Sequence, residues 1–190
     1  MLSLSRPLSR TERARPWLGA APALLLSFAA LGCSASAELP EVVVTKSDVG
    51  FVGVPHIPGI TDTSQMVTTS FDHPKGLELP EFMNPELRPL SASLAGRGTM
   101  NDLSFLEGVT LTLSSRAPDA PPPLVVANYE RQGTGVGRVL ELDTANDADV
   151  IEYWSTEDAY YDVRLWGIMP EDDWAVDVIV SFAGELSVSN

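Results

Sequence analysis

Two histidines, His56 and His73, are the residues of this sequence whose ordinary pKa suits acid–base chemistry near neutral pH. Each lies beside a proline, in a segment where proline interrupts regular structure. The sequence has no Gly-x-Ser-x-Gly pattern, which positions the nucleophile in one large class of serine hydrolases. The two histidines also lack a third ligand at a spacing typical of zinc. We therefore predict that both are surface-loop residues and that the protein is not an enzyme.

Acidic side chains are frequent between residues 143 and 173. Calcium takes about six to eight oxygen ligands, which loops at one end of a β-sandwich can supply together. The candidate calcium ligands are Asp143, Asn146, Asp147 and Asp149. Their spacing differs from that of an EF-hand loop. Two interpretations stay open: a calcium site, or solvated loop acids that keep a secreted protein soluble.

Aromatic side chains are concentrated between residues 153 and 174. Tyr160 and Trp166 fall on the face of their predicted strand opposite to Tyr161, so one set is predicted to be core and the other exposed. Exposed flat rings beside acids suit stacking on sugar rings. The candidate ligand-binding residues are Trp154, Tyr160 and Trp166. The alternative is that these rings pack in the core, as large aromatic side chains usually do.

The elements that must position these residues are β-strands. From residue 174 to 188 every second residue is apolar or small, which is the period of a strand with one buried face. The run is long for one strand, so we expect a bend or bulge near Gly184. Shorter strand patterns recur at residues 41–46, 66–72, 90–95, 109–114, 124–127, 139–143 and 160–166. The proline-rich residues 73–89 predict an irregular crossing, residues 101–108 a short helical turn, and residues 147–154 a helical turn or irregular corner.

This pattern predicts an all-β protein. Short strands separated by turns, with no long helical period, are typical of an antiparallel two-sheet β-sandwich, either immunoglobulin-like or jelly-roll-like. A hydrophobic fraction of 44% agrees with a folded core. We expect a signal peptide at residues 1–32, a tether at 33–40 and the sandwich at 41–190.

The charge is strongly asymmetric. The net charge is −14, but residues 1–32 hold four arginines and one glutamate (+3), so residues 33–190 carry −17. Nucleic acids and anionic membrane surfaces are bound through clustered lysine and arginine, so this balance opposes the binding of either by the folded domain, and we predict no nucleic-acid partner.

The N-terminal segment is typical of an export signal. A basic stretch precedes an apolar run at residues 17–32, which is interrupted by Pro22 and shorter than a membrane-spanning helix. The run ends in Ala-Leu-Gly-Cys at residues 30–33, which resembles the lipobox of bacterial lipoproteins. The resemblance implies that Cys33, the one cysteine of the sequence, carries a diacylglycerol and usually a further acyl chain on its amine, a stable membrane anchor. With Ser34 after the cysteine, it implies an outer-membrane or cell-surface protein. The alternative is an ordinary secretory signal cut nearby, with Cys33 discarded.

A second resemblance covers residues 101–189. The runs SFLEGVTLTLS (104–114) and LVVA (124–127), with the long C-terminal strand, are similar to uncharacterised β-sandwich lipoproteins of bacterial envelopes. That similarity implies a fold and a location and brings no catalytic motif. The sequence predicts a lipid-anchored, non-catalytic envelope protein with a structural or interaction role, its partner an envelope protein or a glycan. The alternative is a calcium- or carbohydrate-binding module.

Overall fold

The computed structural model describes residues 36–59, 63–74, 84–133, 135–154, 156 and 158–187. The predicted signal peptide and Cys33 lie outside these ranges. The described residues form eight strands and one helical turn. These elements are β1 (Ser36–Phe51), β2 (Gln65–Asp72), β3 (Asn84–Gly96), β4 (Leu106–Ser115), β5 (Leu124–Glu130), β6 (Val139–Thr144), α1 (Ile151–Trp154), β7 (Ala159–Gly167) and β8 (Trp174–Ser187). With its four residues, α1 is too short to cross a membrane, and no other helix of the described residues is long and apolar enough to do so.

The strands form one strongly curled sheet in the order β1-β8-β3-β6-β5-β4-β7-β2, and all neighbours run antiparallel. Strand β1 pairs with β8, β2 with β7, β3 with β6 and β4 with β5, as in a long hairpin rolled onto itself. This is the jelly-roll arrangement. Only two residue pairs, Ala127↔Thr144 and Asn128↔Asp143, join β5 to β6. The predicted all-β, antiparallel, sandwich-like fold is confirmed, with two layers that are continuous through this short junction.

The core lies between the layer β1-β8-β3-β6 and the layer β5-β4-β7-β2. The predicted period of two in β8 is confirmed, because Trp174, Val176, Val178, Val180 and Phe182 are all buried. From the other layer, alternate residues of β4 and β7 contribute the fully buried side chains Val109, Leu111, Leu113, Tyr161, Val163 and Leu165. Each aliphatic side chain buried this way stabilises the fold by roughly 1.5–3 kcal/mol.

The predicted irregularity near Gly184 is found in the partners of β8. The β1 register shifts between Leu39 and Val42, and the β3 register shifts between Pro89 and Ser91. Both shifts lie opposite residues 181–184 of β8. Extra residues in two neighbouring strands bend the sheet locally and let the long strand follow the curl.

Two predicted boundaries are corrected. Residues 36–40, predicted as tether, belong to β1, whose pairing with β8 starts at Ser36↔Ser187. Residues 84–89, predicted as irregular, belong to β3 and pair with β8. Their prolines are tolerated because β1 is an edge strand, and because β3 has its second neighbour, β6, only from Ala92 to Ala95. The N–H of Leu87, which lies two residues from Pro85 and from Pro89, points away from β8 to Asp149, so the two prolines remove no hydrogen bond to β8; Pro40 lies in the register shift of β1 between Leu39 and Val42.

Residues 147–154 were predicted to form a helical turn or an irregular corner, and α1 confirms the helical turn. Residues 101–108 form no helix, since Ser104 and Phe105 lie in a turn and β4 begins at Leu106. The Asp102 carboxylate accepts hydrogen bonds from the backbone N–H and the hydroxyl of Ser104, at 2.8 Å each, which closes that turn.

Candidate functional site

The side chains of β7 divide cleanly between the two faces of the sheet. Tyr161, Val163 and Leu165 point into the core and are fully buried. The even-numbered residues point outward, and all of them keep solvent exposure: Tyr160, Asp162, Arg164 and Trp166. The predicted division is confirmed, and it places two of the three candidate aromatic residues on the outside of the domain.

We define the outer face as this row together with its neighbours on β2 and β4. Trp166 lies opposite Met66 and Gly108, and Arg164 lies opposite Thr68 and Thr110. Asp162 lies opposite Ser70 and Thr112, and Tyr160 lies opposite Asp72 and Ser114. Directly opposed residues on one face have Cβ atoms about 5 Å apart. The outer face therefore carries an aromatic ring at each end, with hydroxyl groups and one charge of each sign between them.

One ring, that of Tyr160, is partly covered. The guanidinium carbon of Arg116 lies 4.2 Å from the centre of the ring, within the distance of a cation–π contact. Arg116 also pairs with the Asp72 carboxylate at 3.4 Å, and both side chains are more than half exposed. Because exposed pairs of this kind are weak, a ligand that stacks on Tyr160 can displace Arg116 at small cost.

The other ring, that of Trp166, lies over Gly108 of β4. A Cβ atom at position 108 would collide with three carbon atoms of the indole, so only glycine allows the ring to lie here. Beside the ring is a shallow, open depression of about 450 Å³. Its lining residues are Ser64, Gln65, Met66, Thr110, Arg164 and Trp166. Together they offer an aromatic surface, a cation, an amide and two hydroxyl groups.

Trp154 is not part of this face. It is the last residue of α1 and packs edge-on against His73 and Phe182, with ring centroids 4.3 and 5.6 Å away. Its indole nitrogen is buried and has no hydrogen-bond partner among the residues that the structure describes. The three aromatic residues proposed as one ligand-binding set therefore belong to two places, with Tyr160 and Trp166 outside and Trp154 against the core.

His73 is also inside the domain, which corrects its prediction as a surface-loop residue. It is 7% exposed, and its Nδ1 atom lies 3.1 Å from the hydroxyl of Tyr161. Burial lowers the pKa of His73 to about 4 and raises the pKa of Tyr161, so both side chains are neutral at pH 7. The sequence signal that could have found this is the position of His73, two residues after the core residue Phe71 and on the same side of the strand. His56 is exposed, as predicted.

The proposed calcium ligands lie near one another along the chain, and two of them make structural contacts. Asp149 Oδ1 accepts hydrogen bonds from the backbone N–H of Leu87 at 3.0 Å and of Ile151 at 3.1 Å. The Asn146 amide hydrogen-bonds the Thr144 hydroxyl. Asp143 and Asp147 are exposed. Within the ranges that the structure describes, no three His, Cys, Asp or Glu side chains are grouped to hold a metal ion. The calcium site stays a prediction.

Comparison with known proteins adds little to this geometry. No family model matches the sequence, and no curated protein matches it. Among solved structures, a chain of infectious bursal disease virus, Gt strain, is similar at 10% identity with a TM-score of 0.28. The similarity covers 100% of this chain and 49% of the viral chain, so this chain spans about half the length of that one. A similarity at this level carries no argument about function.

Proposed function

We propose that this protein is a lipid-anchored, non-catalytic β-sandwich protein of the bacterial cell envelope that acts by binding a partner. The observation that carries the anchor is the lipobox-like sequence at residues 30–33, where the one cysteine of the chain ends an apolar, export-type segment. A thiol-linked diacylglycerol with a further acyl chain gives stable membrane attachment. The proposal places the mature domain outside the cytoplasm, at the outer membrane or cell surface.

The anchor has a geometric consequence under this proposal. Only Ser34 and Ala35 separate Cys33 from the first residue of β1. Three residue steps reach about 10 Å at full extension, so that end of β1 would lie close to the lipid headgroups. The domain would stand on the membrane rather than swing on a long tether.

The test of the anchor is replacement of Cys33 by serine, followed by fractionation of the expressing cells. We expect the wild-type protein in the membrane fraction and the Cys33→Ser protein in the soluble fraction. A Ser34→Ala variant is the matched control, because it changes the next residue and keeps the cysteine. Retention of the Cys33→Ser protein in the membrane would overturn the anchor.

A second candidate function, carbohydrate binding, is favoured by the outer face. Tyr160 and Trp166 lie on one exposed face with hydroxyl-bearing residues between them, the combination that stacks on a sugar ring and bonds its hydroxyl groups. The rings are six residues apart on one strand, about 20 Å, which suits a chain of several sugar units.

Thermal melts of the purified protein against a panel of cell-wall and surface glycans test this function. A ligand specific for the folded state raises the stability by about 2.7 kcal/mol at one hundred times its dissociation constant. We expect Tyr160→Ala and Trp166→Ala to reduce the shift. Leu90→Ala is the control, since Leu90 is 51% exposed on a strand of the opposite layer. A shift that survives both aromatic substitutions would exclude the outer face as the site.

A further inference from the structure

We propose that the depression between Trp166 and Arg164 binds an acidic sugar, namely a single carboxylate-bearing unit of an otherwise neutral glycan. This inference rests on the carbohydrate-binding function proposed above and assigns its ligand class. Trp166 would stack on the sugar ring, and Arg164 would bind its carboxylate.

The first argument is the state of Arg164. Its side chain is exposed, and neither a hydrogen bond nor an ion pair joins it to any residue that the structure describes. Three other arginines of the domain are ion-paired: Arg88 with Glu86 at 2.7 Å, Arg97 with Asp177 at 3.2 Å and Arg116 with Asp72 at 3.4 Å. In a chain that carries −17 over residues 33–190, a guanidinium with its donors free is available for a carboxylate, which it binds in a fork geometry.

The second argument is what surrounds that guanidinium. Directly across from Arg164 on the two neighbouring strands lie Thr68 and Thr110, both uncharged. Among the described residues that line the depression, Arg164 carries a charge and the others are neutral. A carboxylate placed there would meet one cation and hydroxyl groups without an adjacent anion in the lining.

The third argument is the spacing of the cation and the ring. Arg164 and Trp166 are two residues apart on the same face of β7, about 7 Å along the strand. One sugar unit stacked on Trp166 therefore places a ring substituent within reach of Arg164. The Gln65 amide and the hydroxyl groups of Ser64 and Thr110 line the same depression and can bond the remaining sugar hydroxyls.

The charge of the whole domain limits the ligand to an isolated carboxylate. A polyanion would meet the −17 charge of residues 33–190 and be repelled. On the outer face, Asp162 lies next to Arg164, on the side toward Tyr160. A second carboxylate further along the glycan in that direction would lie against it. The geometry thus favours a neutral glycan with one acidic unit over a polyuronate.

Calorimetric titration of the purified protein with matched sugar pairs tests the inference. The probes are 3′-sialyllactose beside lactose, and cellobiouronic acid beside cellobiose, because each pair differs by an acidic unit or carboxylate. We expect at least one acidic probe to bind about tenfold or more tightly than its neutral partner. Polygalacturonate should bind more weakly than the better acidic probe.

The decisive variant is Arg164→Gln, which keeps hydrogen-bond donors and removes the charge. It should abolish the preference, so that the acidic probe binds no more tightly than its neutral partner. Arg116→Gln is the matched control at the other end of the outer face and should keep the preference. Both arginines are exposed, so both variants should keep the wild-type melting temperature.

The outcomes separate this inference from the function on which it rests. Equal affinities within both pairs, or a preference that survives Arg164→Gln, would overturn the acidic-sugar assignment. Neutral binding that is lost in Trp166→Ala would in that case leave carbohydrate binding in place. Absence of binding for all four probes and for the neutral glycan panel would overturn both.

Discussion

The hydroxyl of Tyr161 lies 3.1 Å from Nδ1 of His73, and this contact joins a core residue of β7 to the residue that follows β2. The backbone N–H of His73 also donates to the carbonyl of Ala159 at 2.9 Å, which continues the β2–β7 ladder by one pair. Trp154 packs edge-on against the same imidazole. A histidine enclosed in this way stabilises the fold in its neutral form, which makes stability depend on pH.

The free energy of unfolding should fall as the pH drops from about 6.5 to about 4. Burial lowers the pKa of His73 from 6.5 to about 4 in the folded state, so the unfolded chain binds a proton first. The contribution is complete above pH 6.5 and lost below pH 4, and its size is on the order of 2 kcal/mol. Denaturant melts at pH 7, 5.5 and 4.5 measure it. The same melts of a His73→Asn protein give the pH dependence that comes from the carboxylates, and subtracting them leaves the contribution of His73. A His56→Gln protein is the control and should keep the wild-type dependence of the free energy of unfolding on pH. If wild type and His73→Asn lose stability in parallel, His73 is not responsible.

Replacing Tyr161 by phenylalanine should lower the free energy of unfolding by about 1–3 kcal/mol. The substitution removes the partner of a buried imidazole nitrogen while it retains the ring. Tyr160→Phe is the control one residue earlier, because that side chain is on the outer face and should change stability by no more than about 0.5 kcal/mol. Equal effects of the two substitutions in chemical denaturation would contradict the assignment of faces on β7.

Gly108→Ala should destabilise the domain by about 1–3 kcal/mol and displace Trp166. The added methyl group would occupy the position of the indole ring, so ring or strand must move. Gly50→Ala on β1 is the matched strand control, since nothing lies within 4 Å of a Cβ built there. A change in tryptophan fluorescence that is absent from a Trp166→Phe background would identify the displaced ring. A wild-type melting temperature for Gly108→Ala would show that the ring does not rest on this glycine.

Asp149→Ala should destabilise the protein by about 1–2 kcal/mol whether calcium or a chelator is present. The carboxylate caps the first turn of α1 and accepts the backbone N–H of Leu87, neither of which needs a metal. Asp147→Ala, at an exposed acid, should be neutral in chelator and should reduce any calcium-dependent gain in melting temperature if the predicted calcium site exists. A calcium effect that Asp147→Ala leaves unchanged would remove Asp147 from the site.

The period-two patterns of β7 and β8 predicted which residues share a face, because alternation is a property of the extended backbone and needs no partner strand. That local rule separated Tyr160 and Trp166 from Tyr161 before any tertiary contact was known. The same local reasoning failed at residues 84–89, where proline was treated as incompatible with a strand. The cost of proline depends on whether a second strand requires its missing N–H, and that is decided by β6 stopping short of this part of β3.

Composition and alternation thus determined an all-β, antiparallel domain and an outward aromatic row. The jelly-roll order, the burial of His73 and the separation of Trp154 from Tyr160 and Trp166 were decided by the tertiary structure alone. The physical reason is distance along the chain. His73 meets Tyr161 from 88 residues away, and Trp166 rests on a glycine of another strand. Among the described residues Arg164 has no ion-pair partner, because the two strands beside it present threonines, which its own sequence neighbours do not reveal.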